Sequence, residues 1–299
     1  LKINEYGIFR EKNGKKLGGR SEEDIYRILG LQYVPPELRE DIGEIEAAAE
    51  GKIPDLIEVA DIKGDLHVHS TWSDGSQDLE DLVKTSRGRG YTYIAITDHS
   101  KGLGIAGGLS EERIVEQKKM IDAINRKSSR FRLLSGAEIN IKGDGSLDFD
   151  DEILKQLDVV IASVHSGFKQ SAEQITKRMV SAMENPFVSI IGHPSGRLIG
   201  EREAYEVNME KILKTAADTG TAIEINAYPL RLDLTESNVR RAKSLNVPLV
   251  ISTDAHNNGQ FDHMIYGVAV ARRGWLEKKN VLNTLDCGAL LKRLRKKNL

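Results

Sequence analysis

From Lys63 onward, short apolar runs alternate with longer amphipathic ones. The apolar runs are DLHVH (65–69), YTYIAITDH (91–99), FRLLSGAEINI (131–141), DVVIASVH (158–165), VSIIGHP (188–194), TAIEINA (221–227) and PLVISTDAH (248–256). Their length and their Val, Ile and Thr content predict seven strands. Helical patterning falls between them, near 78–88, 110–127, 150–156, 171–184, 207–218 and 235–245. Ser110 ahead of Glu111 and Glu112 makes a helix start, a cap followed by acids in the positive first turn. Asn185-Pro186 makes a stop. Continuously apolar strands alternating with helices imply a parallel sheet covered by helices. Seven of them, with no Rossmann glycine fingerprint, favour a closed barrel over an open sheet. YGVAVARRGW (266–275) reads as a candidate eighth, irregular strand.

Residues 1–62 follow another pattern. LKINEYGIFREKNGKKLGG reads as a hairpin, SEEDIYRILGL as a short helix, and YVPPELREDIGEIEAAAEGKIPDLIE as a proline-rich connection leading to a charged helix. This stretch is too short and too polar for a substantial core of its own. The expected division is therefore 1–62 and 63–299.

Bulk properties narrow the picture only slightly. With 299 residues, 39% of them hydrophobic and 29% charged, the chain reads as an ordinary globular protein. A net charge of −2 makes any nucleic-acid surface a local feature. The clearest basic run, KRLRKKNL at the C-terminus, reads as a solvated helix end beside a favourable dipole, with DNA contact as the alternative. Cys287 is the single cysteine, which excludes an internal disulfide and suits a reducing, cytoplasmic setting. No apolar run is long enough to span a membrane. A first residue that is Leu is expected of a piece of a longer protein.

The histidines change the reading most. His67 and His69 sit one residue apart at the end of the first strand, on one face by the two-residue period. They are either structural histidines or half of a metal site. His99, His165, His193 and His256 end the second, fourth, fifth and seventh strands, and Glu138 lies near the end of the third. Asp254 precedes His256 by two, repeating the same-face pairing. In a barrel of this type the chemistry sits where the C-terminal strand ends converge. Buried Glu138 and Asp254 would need cations or donors nearby. His263 falls outside the pattern and reads as an ordinary histidine.

DLHVHSTWSDG, ITDHS, GAEINI, SVHSG, GHPSGR and STDAHN together resemble the successive motifs of the PHP (polymerase and histidinol phosphatase) domain. The resemblance covers 63–299 and implies a distorted (β/α)7 TIM-like barrel, an α/β fold, holding two or three divalent ions (Zn, Mn or Fe) in a phosphoesterase site. TDHSKGL, GHPSGRLIG and EINAYPLRLDL look most like the C-terminal PHP domain of bacterial and archaeal family X DNA polymerases. KINEYGIF and YVPPELREDIGEIEAA resemble the end of that polymerase core and its linker, which makes the first 62 residues a polymerase-derived segment. The polymerase's nucleotide-binding and catalytic motifs would lie upstream. The resemblance implies one metal on His67, His69, Glu138 and Asp254, a second on Asp74, His99 and His256, and a third on Glu138, His165 and His193. Asp74 stands where some family members carry histidine.

The implied activity is a metal-dependent 3′→5′ exonuclease on single-stranded or gapped DNA, with abasic-site or 3′-phosphate processing as a further possibility. Asp254 or a histidine is the expected proton carrier. Lys101 and Arg197, on the loops after His99 and His193, are expected to clamp the phosphate, Arg197 through its planar fork. The alternatives are a phosphomonoesterase similar to histidinol phosphatase and a PHP module that only stabilises a polymerase. An amidohydrolase fits less well, because its middle-strand lysine is replaced here by Glu138.

Overall fold

The computed structural model describes residues 1–128 and 130–295. They divide into two compact units, Leu1–Leu56 and Ile57–Leu299.

The first unit opens with three antiparallel strands, β1 (Lys2–Asn4), β2 (Gly7–Phe9) and β3 (Lys16–Gly18), one strand more than the hairpin read from the sequence. Two helices follow, α1 (Glu22–Leu29) and α2 (Glu44–Ala49). The Ser21 side chain caps α1 by accepting from the Asp24 N–H, and Gly30 ends the helix in a left-handed turn at φ 75°.

In the second unit, seven parallel strands lie side by side in chain order. They are β4 (Gly64–Val68), β5 (Tyr93–Ile96), β6 (Arg132–Asn140), β7 (Val159–Ser163), β8 (Ile190–Ile191), β9 (Ala222–Asn226) and β10 (Leu249–Ser252). Between them run α3 (Leu79–Gly88), α4 (Glu111–Arg126), α5 (Asp151–Leu154), α6 (Ala172–Glu184), α7 (Met209–Thr219) and α8 (Glu236–Ser244). Beyond β10 the chain bridges to β4: Val68 pairs with Ala255, and the His69 N–H donates to the Ala255 carbonyl at 2.8 Å. The sheet is thus a nearly closed barrel. Buried Asn283 stitches the lower part of the seam, donating to the carbonyls of Gly64 (2.9 Å) and Ile251 (2.8 Å) and accepting from the Ile251 N–H (3.0 Å).

Alternation sorts the side chains. Tyr93, Ala95, Leu134, Val159, Ile161, Ile190, Ala222 and Val250 form an apolar floor inside the barrel. Leu290 and Leu294 of α10 (Cys287–Arg295) pack with it. Their odd-numbered or even-numbered neighbours, such as Ile94, Ile96, Val160, Ile223 and Ile251, pack outward in the larger core under the helices. Two or four residues beyond the floor, on the same faces, come His99, Glu138, His165, Glu224 and Asp254. In β4 one extra residue between Asp65 and Val68 shifts the register, so Leu66 joins the floor while Val68 packs outward.

The expected eighth strand at 266–275 is a helix, α9 (Met264–Arg273). Its buried residues Met264, Gly267, Val268 and Ala271 recur at i, i+3, i+4 and i+7, a helical stripe hidden in a run of small and β-branched residues. Gly267 lets α9 lie close against the sheet, since a Cβ there would stand 2.5 Å from Ile251 and 2.8 Å from Ala227. Of the C-terminal basic run, Lys292 and Arg293 lie on α10, and Lys296 and Lys297 lie outside the described residues. Among the described residues no helix is long and apolar enough to cross a membrane.

Candidate metal centre

The nine expected ligands arrive at one mouth from six strand ends and one loop. His67, His69, Glu138 and Asp254 are buried, and His256 and Asp74 remain about one-third exposed. Glu138 is the hub. One carboxylate oxygen lies 2.8 Å from His193 Nε2 and 3.1 Å from His165 Nε2, while the other lies 3.0 Å from His99 Nδ1 and 3.4 Å from His67 Nε2. Asp254 Oδ1 stands 3.1 Å from His69 Nε2 and 3.6 Å from His67 Nε2. Asp74 returns over the opening from the loop after β4, 3.5 Å from both His99 Nε2 and His256 Nε2.

Three groups of donor atoms lie within metal-holding reach: His67, His69 and Asp254; His69, Asp74, His99 and His256; and His99, Glu138 and His165. His69 and His99 are each shared between two groups. The chemistry of the donors fits divalent ions. Among the described residues, His67 Nε2, both His69 nitrogens and His99 Nδ1 are buried with no hydrogen-bond partner. Buried polar atoms left unpaired are costly, and here they face carboxylates. The nitrogen and oxygen set, without thiolate, suits zinc, manganese or iron.

The electrostatics show how tightly these groups are coupled. Burial alone would raise the Glu138 carboxyl, but the rings of His165, His67 and His99 hold it well below the usual carboxylate range. Asp254 is held low against burial in the same way by His67, His69 and His256. His69, buried and beside the rings of His99 and His256, is pushed down to about 3. His256 is raised to about 9, because Asp74 and Asp254 outweigh its burial.

A ring of further residues orients the expected ligands. Buried Glu224 on β9 lies 2.7 Å from His67 Nδ1 and accepts from the His193 N–H at 2.7 Å. Asn140 Oδ1 faces His165 Nδ1 at 2.6 Å, and Asp148 in turn holds Asn140 through its N–H and its amide, both at 3.0 Å. The carbonyl of Asp254 faces His256 Nδ1 at 2.8 Å. For His67, His165 and His256 the partner occupies Nδ1 and leaves Nε2 toward the carboxylates. Asp98 accepts from Ser70 and Ser73, both at 2.5 Å, and so pins the loop that carries Asp74. Two of the expected ligands, His193 (φ 27°) and Asp254 (φ 55°), occupy the left-handed region, which costs a non-glycine residue on the order of 1–3 kcal/mol.

The sequence reading missed Glu224, Asn140 and Asn226. A signal existed: Glu-Ile-Asn occurs on β6 (138–140) and again on β9 (224–226), each time with both polar residues on the barrel interior. Asn226 donates to Glu224 (3.1 Å) and to Asp254 (3.2 Å).

Lys101 and Arg197 are placed differently from the expected clamp. Lys101 is half exposed and its Nζ pairs with Glu111 at 2.6 Å. Arg197 donates through Nε to the carbonyl of Arg231 at 2.6 Å, and through Nη2 to the carbonyl of Leu232. It braces the loop after β9. The cation that this loop brings to the mouth is Arg231, whose Nε stands 3.5 Å from Asp254 Oδ2. Its Nη1 is buried and, among the described residues, has no hydrogen-bond partner. With Tyr228, Asp254, His256 and Gln260 it lines a cavity of about 270 Å³ at the edge of the cluster.

The DNA polymerase beta thumb matches residues 1–40, and the PHP domain matches residues 65–228. The chain is 46% identical over 295 residues to the DNA polymerase/3′-5′ exonuclease PolX of Bacillus subtilis (strain 168). That match covers 98% of this chain and 51% of the relative, so the chain spans about half the relative's length. It is 28% identical over 244 residues to a probable phosphatase of Thermoanaerobacter sp. (strain X514), covering 78% of this chain and 94% of that one. Among solved structures, histidinol phosphate phosphatase of Lactococcus lactis subsp. lactis Il1403, complexed with zinc, L-histidinol and phosphate, matches with a TM-score of 0.53 at 18% identity, over 71% of this chain and 93% of that one. At that identity the likeness speaks for the fold alone. The chain therefore belongs to the PHP domain family, with a segment ahead of the barrel that matches the DNA polymerase beta thumb.

Proposed function

We propose that the barrel mouth is a metal-dependent phosphoesterase centre that removes nucleotides from the 3′ ends of single-stranded or gapped DNA. The observation that carries this reading is the convergence on Glu138 of four histidines from four different strand ends, within 2.8–3.4 Å of its two oxygens. The 46% identity to a polymerase with 3′-5′ exonuclease in its name, and the thumb match ahead of the barrel, support DNA as the substrate class. They also support a polymerase core in the same polypeptide.

In this reading two or three ions (zinc, manganese or iron) are held by His67, His69, Asp74, His99, Glu138, His165, His193, Asp254 and His256. Ions of this kind lower the pKa of a bound water toward neutrality and offset charge on the phosphoryl oxygens. Glu138, with histidines on both oxygens, would serve more than one ion. Asp254, between His69 and Arg231, or one of the histidines carries the proton in this reading. Arg231, with its free Nη1, takes the phosphate-holding role expected of Arg197 and Lys101, and Arg197 holds Arg231's loop.

A phosphomonoesterase is the second reading, favoured by the match that covers 94% of a probable phosphatase. The two are separated by giving the Mn²⁺-loaded chain 5′-labelled single-stranded DNA and histidinol phosphate side by side. Progressive shortening of the DNA from its 3′ end is expected. Turnover of histidinol phosphate with intact DNA would favour the phosphomonoesterase.

A further inference from the structure

The cavity beside the metal ligands does not end at the ligands. Tyr228 forms one wall, and the ring of His263 stands 5.7 Å from it, centroid to centroid. Tyr266 follows at 6.1 Å from His263. The three rings come from two connections of the barrel: Tyr228 from the loop after β9, and His263 and Tyr266 from the turn into α9 and its first residues. Together they make an aromatic surface leading from the cavity out to solvent, where Tyr266 is 45% exposed and Ile265 beside it 52% exposed.

A contiguous, partly exposed group of rings beside polar residues is the kind of patch that marks a ligand-binding surface. His263 Nδ1 is buried and, among the described residues, has no hydrogen-bond partner, so this nitrogen is not tied into the fold. The neighbouring carboxylate of Asp262 is held by Arg89 at 2.7 Å, which offsets a charge that would otherwise repel a phosphate backbone. The inner end of the surface carries the Arg231 guanidinium. An arginine that suits a phosphoryl group, followed by a row of rings, matches the way single strands are held: cations track the backbone while bases stack on aromatic faces, with little regard to sequence.

We propose that Tyr228, His263 and Tyr266 form a base-stacking surface for single-stranded DNA, which leads the 3′ end into the cavity beside Arg231 and the metal ligands. This rests on the 3′-end nuclease reading and specifies how that substrate is held. The surface is independent of base identity, so strands of different sequence bind alike, and strands lacking bases near the 3′ end bind poorly.

The test is fluorescence anisotropy of a 5′-labelled single-stranded oligonucleotide with the full chain in EDTA, where no cleavage occurs. A second oligonucleotide has abasic sites at its last three positions. Tyr266→Ala and His263→Ala are each expected to weaken binding of the first strand by roughly 5- to 100-fold, the scale of one lost base stack. Tyr266→Phe, which keeps the ring, should bind as wild type. The abasic strand should bind wild type weakly and lose little further with Tyr266→Ala. Equal binding of both strands by wild type, or unchanged binding by both alanine variants, overturns the surface. Cleavage of single-stranded DNA by Mn²⁺-loaded wild type is measured in parallel. Cleavage with unaltered variant binding leaves the nuclease reading standing and removes the surface. Ring-dependent binding without cleavage supports the surface and removes the nuclease reading.

Discussion

Glu224 lies 2.7 Å from His67 Nδ1, with both side chains fully buried and neither in contact with solvent. The pair joins β9 to β4 across the barrel, and it settles which nitrogen of His67 faces Glu138 and Asp254. Partners of this kind fix a ligand's tautomer and raise its basicity. Glu224→Gln is therefore expected to weaken Mn²⁺ binding by roughly 10- to 100-fold while keeping the fold. Isothermal titration with Mn²⁺, alongside circular dichroism, checks this. An unchanged affinity would show that His67 needs no such partner.

The two arginines of the mouth should separate by readout. Arg231→Ala is expected to lower kcat/KM by roughly 10- to 1000-fold with metal content unchanged, the scale of one lost electrostatic donor. Arg231→Lys should recover only part, since a point charge replaces a planar fork. Arg197→Ala should lower kcat/KM and thermal stability together, because two carbonyls of the Arg231 loop lose their donor. Lys101→Ala should stay within a few-fold of wild type. A large loss with Lys101→Ala and none with Arg231→Ala would restore the clamp that the sequence suggested.

Much of this site is legible in the sequence because ligand types sit at strand ends, and strand ends converge in a barrel. The period-two alternation and the order of the runs bring His67, His69, His99, Glu138, His165, His193, Asp254 and His256 to one mouth, while Asp74 and the grouping of all nine as ligands come from the resemblance to the PHP motifs. Arg231 was not legible, because its approach depends on a loop held by Arg197. Arg197 follows His193 by four residues, which suggested a role at the phosphate; in the structure its guanidinium holds the carbonyls of Arg231 and Leu232. α9 was misread because Val268 and Val270 alternate like a strand, while the buried stripe at 264, 267, 268 and 271 follows the helical period. Glu224 was passed over as a strand residue among apolar neighbours, although the repeated Glu-Ile-Asn marks it.

Loading the site should release protons. In the metal-free chain His256 is raised to about 9 by Asp74 and Asp254 against its burial, so it is charged at neutral pH. A metal ligand must be neutral imidazole, so affinity rises as the pH rises toward 9. The sign for metal-free stability is opposite. The contribution of protonated His256 is fully present below the unfolded value of 6.5 and is lost as pH rises through about 9. Calorimetric titration with Zn²⁺ at pH 7, in buffers of different ionisation enthalpy, should report net proton release. A heat independent of buffer would count against the shift.

Asn283 replaces a missing strand at the barrel seam with one side chain. Asn283→Ala leaves two buried carbonyls and one buried N–H without partners. The expected loss is on the order of 3 kcal/mol or more, from about 1–3 kcal/mol for each buried group left unpaired. Urea unfolding of the chain measures it. A loss below about 1 kcal/mol would mean that the Val68 and Ala255 bridge closes the seam unaided.

The central claim is that the nine side chains form one centre for several metal ions. Anomalous diffraction from crystals of the Mn²⁺-loaded chain tests it most directly. The account predicts two or three anomalous peaks at the barrel mouth, each bounded by ligands drawn from His67, His69, Asp74, His99, Glu138, His165, His193, Asp254 and His256. A folded, fully loaded chain whose barrel mouth shows no anomalous peak would contradict it.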